Sequence, residues 1–443
     1  MFNLVKNKIE YLRQHWFVKN VAFYQVGDFT ANAAQALIGV FIVRLLGAEN
    51  YGIYALAFSL SGFVSIFLGL GARDATTIVL SESYAQNDRN RAKEVLGFLV
   101  KMTFIMGIIS LIGAFLTPWL GKIFYHNDKV GLYASILILA TIVASTIFGF
   151  TIMALMITRR IKAVTILGAL AQFFQSGLAL VFVVLGFGVF GAVSGYLAGS
   201  IAVSIIATIL WQGIHTKYPI FPSIKNLIRS GFGAPIKKYF GFSFWISADR
   251  NLANLYNILP IMLTGIFVTA AQVTYFKLAF GYMNLALSMI GPISNLLNVE
   301  FPKMRVSEGG PEKLLKNFIR VSLYSLAFSA VLTVGAIIVA PTAFHILYGS
   351  DFNASLKYVT GLLFYGALMG IGIAFGPMFR AINKVKLAIS INLTTFAIGV
   401  PVGLLLIKNF GLWGSVIWTT LLYTSSHAVS FILIIRELKK MRS

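Results

Sequence analysis

Residues 132–157 read LYASILILATIVASTIFGFTIMALMI, an uninterrupted run without any Asp, Glu, Lys or Arg. About 20 apolar residues are enough for a helix to cross the hydrocarbon core of a bilayer. Eleven other mostly apolar stretches of similar length occur along the chain, so we predict twelve membrane-spanning helices. They cover residues 21–43, 51–70, 96–116, 132–157, 163–185, 189–211, 241–267, 272–297, 319–340, 358–379, 387–407 and 411–435.

The composition agrees with this interpretation. Of the 443 residues, 58% are hydrophobic and 11% are charged, and the mean hydropathy is +0.83. These values lie outside the balance typical of soluble domains. We therefore predict an all-α polytopic membrane protein. The segment before the first span lacks the apolar core of a cleavable signal peptide, so we expect the N-terminus to be retained.

The distribution of positive charge predicts the orientation in the membrane. Of the 36 Lys and Arg residues, 28 fall in the even-numbered gaps between spans or in the two termini. The odd-numbered gaps hold only Lys122, Lys129, Lys357 and Lys408. Because positively charged loops stay inside, both termini are predicted to be cytoplasmic. The net charge of +22 then reflects this bias and attraction to the phospholipid bilayer, and we expect no nucleic-acid partner.

Several classes of chemistry have no candidate residues in this sequence. The chain contains no Cys, and its five His residues are scattered without a pair at metal-ligand spacing. It also lacks a Gly-rich phosphate loop of the GxxxxGK type. We therefore predict no metal site, no catalytic residue and no enzymatic activity.

An internal repeat appears when the chain is aligned with itself at a shift of half its length. PWLGKIFYHND at 118–128 aligns with PTAFHILYGSD at 341–351, and GFGVFGAV at 186–193 aligns with NFGLWGSV at 409–416. Six spans per half is an even number, so both halves have the same orientation. This predicts two six-helix lobes related by a pseudo-two-fold axis along the membrane normal.

The predicted domains are an N-terminal lobe at 1–212, a cytoplasmic amphipathic linker at 213–240 and a C-terminal lobe at 241–443. In the linker, apolar residues at helical spacing alternate with Lys225 and Arg229, which predicts a short helix in the membrane interface. Two roles remain open for this helix: a gate that senses lipid headgroups, or an ordinary connection between lobes.

Polar side chains lie on one face of three predicted spans. They are Gln25, Asp28, Asn32 and Gln35 on the first, Ser243, Ser247, Arg250, Asn254 and Asn257 beside Asp249 on the seventh, and Lys277, Asn284 and Ser288 on the eighth. Ionisable groups within a membrane usually face a protein interior or water. We predict that these polar stripes face each other across a hydrated central cavity. The alternative is that they form interhelical pairs that hold the lobes together.

Two arginines lie near the ends of the first spans. Arg44 is predicted to lie at the outer rim, because it points away from Asp28 on the helical wheel. Arg73, beside Asp74 at the cytoplasmic end of the second span, either guides an anionic headgroup or pairs with its neighbour.

Residues 44–55 read RLLGAENYGIYA and resemble the R-x-LG-x-x-x-YG-x-YA signature of polysaccharide flippases. These proteins translocate O-antigen and capsule repeat units and belong to the multidrug/oligosaccharidyl-lipid/polysaccharide exporter superfamily. The Asp249-Arg250 pair and the YG-x-x-F segment at 348–352 also resemble that family.

The resemblance implies a V-shaped pair of lobes in the cytoplasmic (inner) membrane of a bacterium. The expected function is to move an undecaprenyl-pyrophosphate-linked oligosaccharide to the outer leaflet by alternating access. The residues expected to bind this lipid-linked oligosaccharide substrate are Arg250, Lys277, Arg73, Asn32, Gln35, Asn254 and Asn257. Asp28 and Asp249 are expected to bind a coupling ion, H+ or Na+, with no other cofactor. Other membrane proteins of polysaccharide assembly are expected partners.

Three alternative functions account for parts of this pattern. A major-facilitator transporter of a small solute also has six plus six spans, but the gap after the second span lacks that family's G-x-x-x-D-basic motif. A multidrug or cation antiporter of the same superfamily is distinguished by testing resistance to cationic dyes. A membrane glycosyltransferase or polymerase needs a large outer loop with catalytic acids, whereas the outer gaps here are short.

Overall fold

The computed structural model describes residues 16–66, 72–233, 235–306 and 310–441. Within these ranges the backbone is almost entirely helical, and no described residue lies in a β-strand. The predicted all-α fold is confirmed.

Eight helices form the N-terminal half of the described chain. They are α1 (Trp16–Ser65), α2 (Ala72–Ala85), α3 (Arg89–Tyr125), α4 (Asp128–Ser145), α5 (Ile147–Ile157), α6 (Ile161–Phe182), α7 (Gly188–Lys217) and α8 (Ile224–Gly233).

Eight more helices follow in the C-terminal half. They are α9 (Ile236–Phe267), α10 (Ala270–Leu287), α11 (Gly291–Val306), α12 (Gly310–Leu347), α13 (Leu356–Gly361), α14 (Leu363–Met369), α15 (Phe375–Ala381) and α16 (Val385–Lys440).

Seven helical stretches of the described chain are long and apolar enough to cross a membrane. Three of them contain two predicted spans each, joined by a sharp break instead of a loop. The breaks lie at Gly47 in α1, at Gly186 and Gly188 between α6 and α7, and at Gly411 in α16, all with positive φ. Glycine adopts this backbone conformation without the clash that a Cβ would cause.

The seventh and eighth predicted spans lie on α9 and α10, outside these seven stretches. Both helices carry the polar stripes, which lower their mean hydropathy. A membrane-spanning helix accepts such groups where they face a protein interior or water. Together these helices form a multi-pass membrane protein.

Three predicted spans are less regular than expected. The fourth is divided at Thr146 between α4 and α5, and the eighth is interrupted by the 3-10 turn Ser288–Ile290. The tenth is divided among α13, α14 and α15. Close packing contributes to that division: the Gly370 backbone NH donates to Ser329 Oγ at 3.1 Å. A Cβ at Gly370 would overlap the Ser325 carbonyl.

The chain forms two compact units. The first unit contains Met1–Leu46, Val64–Gly121 and Asp128–Ser247, and the second contains Gly47–Phe63, Lys122–Asn127 and Ala248–Ser443. Two short segments from the N-terminal half of the sequence therefore belong to the second unit. The lobe boundaries at 212 and 241 stay a prediction.

The segment after α7 is fastened to the first unit by buried aromatic side chains. Trp211 is fully buried, and its Nε1–H donates to the Pro222 carbonyl at 3.1 Å. His215 Nδ1 lies 2.7 Å from the Phe221 carbonyl. Leu227 on α8 is only 2% exposed. Helix α8 thus packs on the first unit through its apolar face, while Lys225 is exposed.

The first turn of α9 is attached to α3. Lys238 Nζ donates to Glu94 Oε1 at 2.7 Å, and the Tyr239 hydroxyl donates to the same oxygen at 3.2 Å. The hydrogen bond to Glu94 raises the pKa of Lys238, because it favours the charged amine.

The core of the second unit is a cluster of large apolar side chains. Phe301 on α11, Phe318 on α12, Met378 on α15 and Ile434 on α16 are each fully buried. In a membrane protein such side chains stabilise the fold mainly through van der Waals packing, because lipid tails are equally apolar. This core packs α11 and α12 against α15 and α16, which lie further along the chain.

Candidate functional site

The first polar stripe lies in the first unit, beside α6. Asn32 and Gln35 on α1 are exposed. Gln172 on α6 donates from Nε2 to Asn32 Oδ1 at 3.2 Å. Its other amide atom, Oε1, is buried and has no hydrogen-bond partner among the described residues. The side chain of Asp28 lies outside the described residues.

Helix α6 packs closely against α1 beside this stripe because α1 has a glycine at the contact. A Cβ at Gly27 would overlap the Thr165 side chain, so α1 and α6 are in direct contact there. Sequence reasoning did not identify Gln172. The available signal was the pair Gln172 and Gln175, one helical turn apart in an otherwise apolar span.

Arg73 on α2 contacts the break between α4 and α5. Its Nη2 donates to the carbonyl of Ser145, the last residue of α4, at 3.1 Å. A Cβ at Gly149 would overlap the guanidinium group. A cation near the last carbonyls of a helix satisfies an orphan acceptor and interacts favourably with the helix dipole. Arg73 therefore has a structural contact, and its role in substrate binding stays a prediction.

A network of tyrosines and asparagines lies inside the second unit. Three asparagine oxygens each accept a hydrogen bond from a tyrosine hydroxyl. The pairs are Tyr365 to Asn284 at 2.5 Å, Tyr256 to Asn392 at 3.0 Å and Tyr423 to Asn257 at 3.5 Å.

Ring contacts join these three pairs into one tyrosine–asparagine network. The ring centroids of Tyr365 and Tyr423 are 4.9 Å apart, as are those of Tyr256 and Tyr423. The network brings together two predicted polar residues, Asn257 on α9 and Asn284 on α10. The NH2 group of each asparagine carries two further donors in addition to this acceptor oxygen.

Sequence reasoning missed the tyrosines and Asn392. Asn392 was detectable as the single side-chain amide in the eleventh span. Tyr365 and Tyr423 were not distinguishable from packing aromatics, because their role depends on partners in distant helices.

The predicted cationic residues lie on adjacent helices of the same unit. Lys277 on α10 is half-buried and precedes Asn284 by seven residues, so the two share a helical face. Arg250 and Asn254 on α9 are exposed. The side chain of Asp249 lies outside the described residues. The stripes of α1 and α9 belong to different units, and the cavity between them stays a prediction.

A close contact joins the part of α1 just after the Gly47 break to the start of α10, within the second unit. A Cβ at Gly52 would overlap the backbone of Ala270. Thr274 Oγ1 donates to the Ala48 carbonyl at 2.5 Å. Nearby, the hydroxyl of Tyr125 donates to a carbonyl of α9 at 3.2 Å. We call this the outer-side contact, because the positive-inside rule predicts that these residues lie outside.

Among the described residues, no three His, Cys, Asp or Glu side chains lie close enough to hold a metal ion. The predicted coupling residues, Asp28 and Asp249, have side chains outside that set. Within the described part of the chain, the arrangement suits hydrogen bonding to a polar solute and charge pairing with an anion.

One family model matches this chain, and several solved structures share its fold. Residues 41–357 match the family described as polysaccharide biosynthesis protein. No curated protein matches the sequence. A multidrug resistance MATE transporter of the MOP superfamily, in an inward-facing conformation, has a TM-score of 0.69 at 16% identity and covers 92% of this chain and 96% of its own.

Two other solved structures share the fold. The lipid II flippase MurJ, in an inward closed conformation, has a TM-score of 0.68 at 13% identity and covers 94% of this chain and 87% of its own. The eukaryotic MATE transporter AtDTX14 has a TM-score of 0.62 at 16% identity and covers 96% of this chain and 98% of its own.

Proposed function

Because this chain belongs to the polysaccharide biosynthesis protein family, we propose that it flips a lipid-linked oligosaccharide across a bacterial inner membrane. The family prediction from the sequence is confirmed. The expected cargo is an undecaprenyl-pyrophosphate-linked repeat unit of an O-antigen or capsule. The observation that carries the proposal is the tyrosine–asparagine network on membrane helices of the second unit.

A sugar cannot enter hydrocarbon without hydrogen-bond partners, because burying each unpaired hydroxyl costs several kcal/mol. The network supplies such partners. Asn257 is exposed, and its NH2 group is available to a sugar hydroxyl. Tyr423 fixes the amide orientation, because its hydroxyl donates to the Asn257 oxygen. The lipid tail remains in the bilayer while the head group uses the polar side chains.

Arg250 and Lys277 are the proposed pyrophosphate contacts. They lie on α9 and α10, which are consecutive helices of one unit. Half-burial of Lys277 weakens solvent screening and strengthens its attraction for an anion. Asn32, Gln35 and Asn254 are proposed to contact the glycan, with Arg73 near the cytoplasmic entrance.

The outer-side contact is proposed to be the closed outer gate of an alternating-access cycle. Gly52 permits backbone contact between α1 and α10, and Thr274 adds a hydrogen bond. Release of the glycan outside requires this contact to separate. Asp28 and Asp249 are proposed to couple the cycle to H+ or Na+. No enzymatic step is proposed.

Complementation tests the proposal. A strain lacking its own flippase, but supplied with the matching repeat unit, should regain surface glycan with the wild-type chain. Arg250→Ala and Lys277→Ala should each strongly reduce the surface glycan at equal membrane abundance. Lys408→Ala removes a charge beside the reversal of α16 at Gly411, on the predicted outer side, and should have no effect. Full surface glycan in both Arg250→Ala and Lys277→Ala would overturn the pyrophosphate assignment.

A drug or cation antiporter is the second candidate, favoured by the MATE fold similarity. Expression in a strain lacking its efflux pumps separates the two functions. The flippase proposal predicts unchanged resistance to cationic dyes. Raised resistance without restored surface glycan would favour the antiporter.

A further inference from the structure

A groove of about 410 Å³ lies between the two parts of α16 in the second unit. The helix reverses at Gly411, where φ is 57°, so the residues before and after it form an antiparallel pair. One wall contains Ser390, Thr394 and Ile398, and the other contains Val429. Ile398 is 64% exposed and Val429 is 43% exposed, so the groove is open to its surroundings.

The outer end of the groove is closed by contact between its walls. Trp418 Nε1–H donates to the Gly399 carbonyl at 2.7 Å. A Cβ at Gly403 would overlap the Trp418 indole. From this contact the groove extends to Leu387 and Leu433, near the predicted cytoplasmic ends of the two parts of α16.

A cluster of positive charge surrounds the cytoplasmic end of the groove, and we call it the cationic collar. Its members are Lys384, Lys386, Arg436, Lys439 and Lys440. Glu437 pairs with Lys384 at 3.0 Å and with Lys440 at 2.9 Å. In the described sequence segments 384–386 and 436–440, Lys and Arg outnumber Asp and Glu by five to one, so this end of the groove is rich in positive charge. Arg436, Lys439 and Lys440 share an open surface patch with two isoleucines of the same helix.

The collar is continuous with the groove. Arg436 follows Val429 by seven residues and Leu433 by three, which places all three on one helical face. Lys386 precedes Ser390 by four residues, again on one face. An apolar groove that ends in a cationic collar is complementary to an amphiphile with an anionic head.

We propose that the groove and collar bind one anionic glycerophospholipid of the cytoplasmic leaflet. Its phosphate contacts the collar, and one acyl chain occupies the groove. From Leu387 to Gly399, where the Trp418 contact closes the groove, the helix rises about 18 Å. One leaflet contributes about 15 Å of hydrocarbon, and a typical helix tilt absorbs part of the difference. The groove thus matches one acyl chain in length.

The groove hydroxyls favour a glycerophospholipid over the polyprenyl tail of the transported substrate. Ser390 and Thr394 are exposed within the groove, and Ser390 lies about 6 Å above Lys386. That position suits the ester carbonyls just below a phosphate, which accept hydrogen bonds. A polyprenyl chain has no acceptor to offer these hydroxyls. The site is therefore independent of the proposed transport function.

Native mass spectrometry of the purified full chain tests this site, with phosphatidylglycerol and phosphatidylcholine as probes. The wild-type protein should retain one phosphatidylglycerol in preference to phosphatidylcholine. The double variant Arg436→Gln with Lys439→Gln should bind it about 30-fold more weakly, since each cation contributes about 1 kcal/mol near a membrane surface. Thr394→Trp should also lose the bound lipid, because the indole fills the groove.

Matched controls separate the effect of changing this site from the general effects of removing charge or adding side-chain volume. Lys313→Gln with Lys316→Gln removes two exposed charges at the start of α12, and Leu393→Trp adds an indole on another face of α16. Both should retain the lipid. Any one of three results would overturn the proposal. They are equal binding of the two phospholipids, unchanged binding in both site variants, and displacement of the bound phospholipid by undecaprenyl phosphate alone. A thermal shift induced by phosphatidylglycerol gives a second readout for each folded variant.

Discussion

Replacing Gly52 by alanine should open the outer-side contact. The added Cβ would overlap the Ala270 backbone, which cannot rotate away as a side chain does. Overpacking of this kind costs about 1 to 3 kcal/mol. If this overpacking destabilises only the state in which the outer-side contact is closed, the population of molecules with an open contact rises by about 5- to 150-fold.

The natural chain contains no Cys, so a single introduced thiol reports this opening. Thr274 is fully buried at the contact and is a suitable position. Thr274→Cys should react slowly with a membrane-impermeant maleimide added from outside. Adding Gly52→Ala should raise the labelling rate by at least fivefold, because only open molecules expose the thiol.

Gly39→Ala is the matched control, since a Cβ at that position of α1 would meet nothing within 4 Å. It should leave the labelling rate unchanged. Size-exclusion profiles of the fluorescently tagged variants verify that each remains folded. An unchanged rate in a folded Gly52→Ala variant would refute the gate interpretation.

Three further outcomes follow from individual contacts. Tyr365→Phe should destabilise the protein by about 1 to 3 kcal/mol, because Asn284 loses its donor; chemical unfolding measures this. Arg73→Lys should lower stability by about 0.5 to 1.5 kcal/mol in the same assay, because an ammonium does not reproduce the guanidinium contact with α4. Hydrogen bonding to Glu94 raises the pKa of Lys238 above its ordinary value. The stabilisation by this contact is therefore fully present when the pH is below the ordinary pKa of lysine, and it is lost as the pH rises through the raised pKa. The difference in Tm between wild type and Lys238→Gln should therefore stay constant between about pH 7 and 9 and disappear in strongly alkaline solution.

Each of these three has its own control. Tyr324 is 69% exposed, so Tyr324→Phe should leave stability unchanged. Gly149→Ala should reproduce the effect of Arg73→Lys, because its Cβ displaces the guanidinium. Lys237→Gln removes the neighbouring exposed charge. It should show no alkali-sensitive difference in Tm from wild type. If Tyr365→Phe behaves like Tyr324→Phe, if Gly149→Ala is silent, or if Lys238→Gln behaves like Lys237→Gln, the corresponding contact does not stabilise the fold.

The sequence predicted the helices well because the membrane imposes a simple rule on them. An apolar run such as 132–157 must satisfy its own backbone, so it forms helix. The same rule could not locate the break after Ser145 or the division of the tenth span. These depend on close contacts such as Gly370 with Ser329, which join residues far apart in the chain.

The polar stripes were partly predictable from helical spacing. Asn257 and Asn284 were identified as members of the polar stripes on the seventh and eighth spans, and the structure places both in one network. Tyr365 was missed because a tyrosine in a membrane helix is equally compatible with packing. Gly52 was recognised only as part of a signature, because its contact partner Ala270 lies in the opposite half of the sequence.

The tight reversals at Gly47, Gly188 and Gly411 lie on the face predicted to be outside, and each replaces a loop. Proteolysis concentrates at exposed loop tips. A protease added to intact cells should therefore find little flexible backbone to cleave, and an antibody raised against the folded protein should find few epitopes there. Genetic insertion of a reporter peptide at any of these glycines should be poorly tolerated, since each insertion separates two consecutive membrane helices.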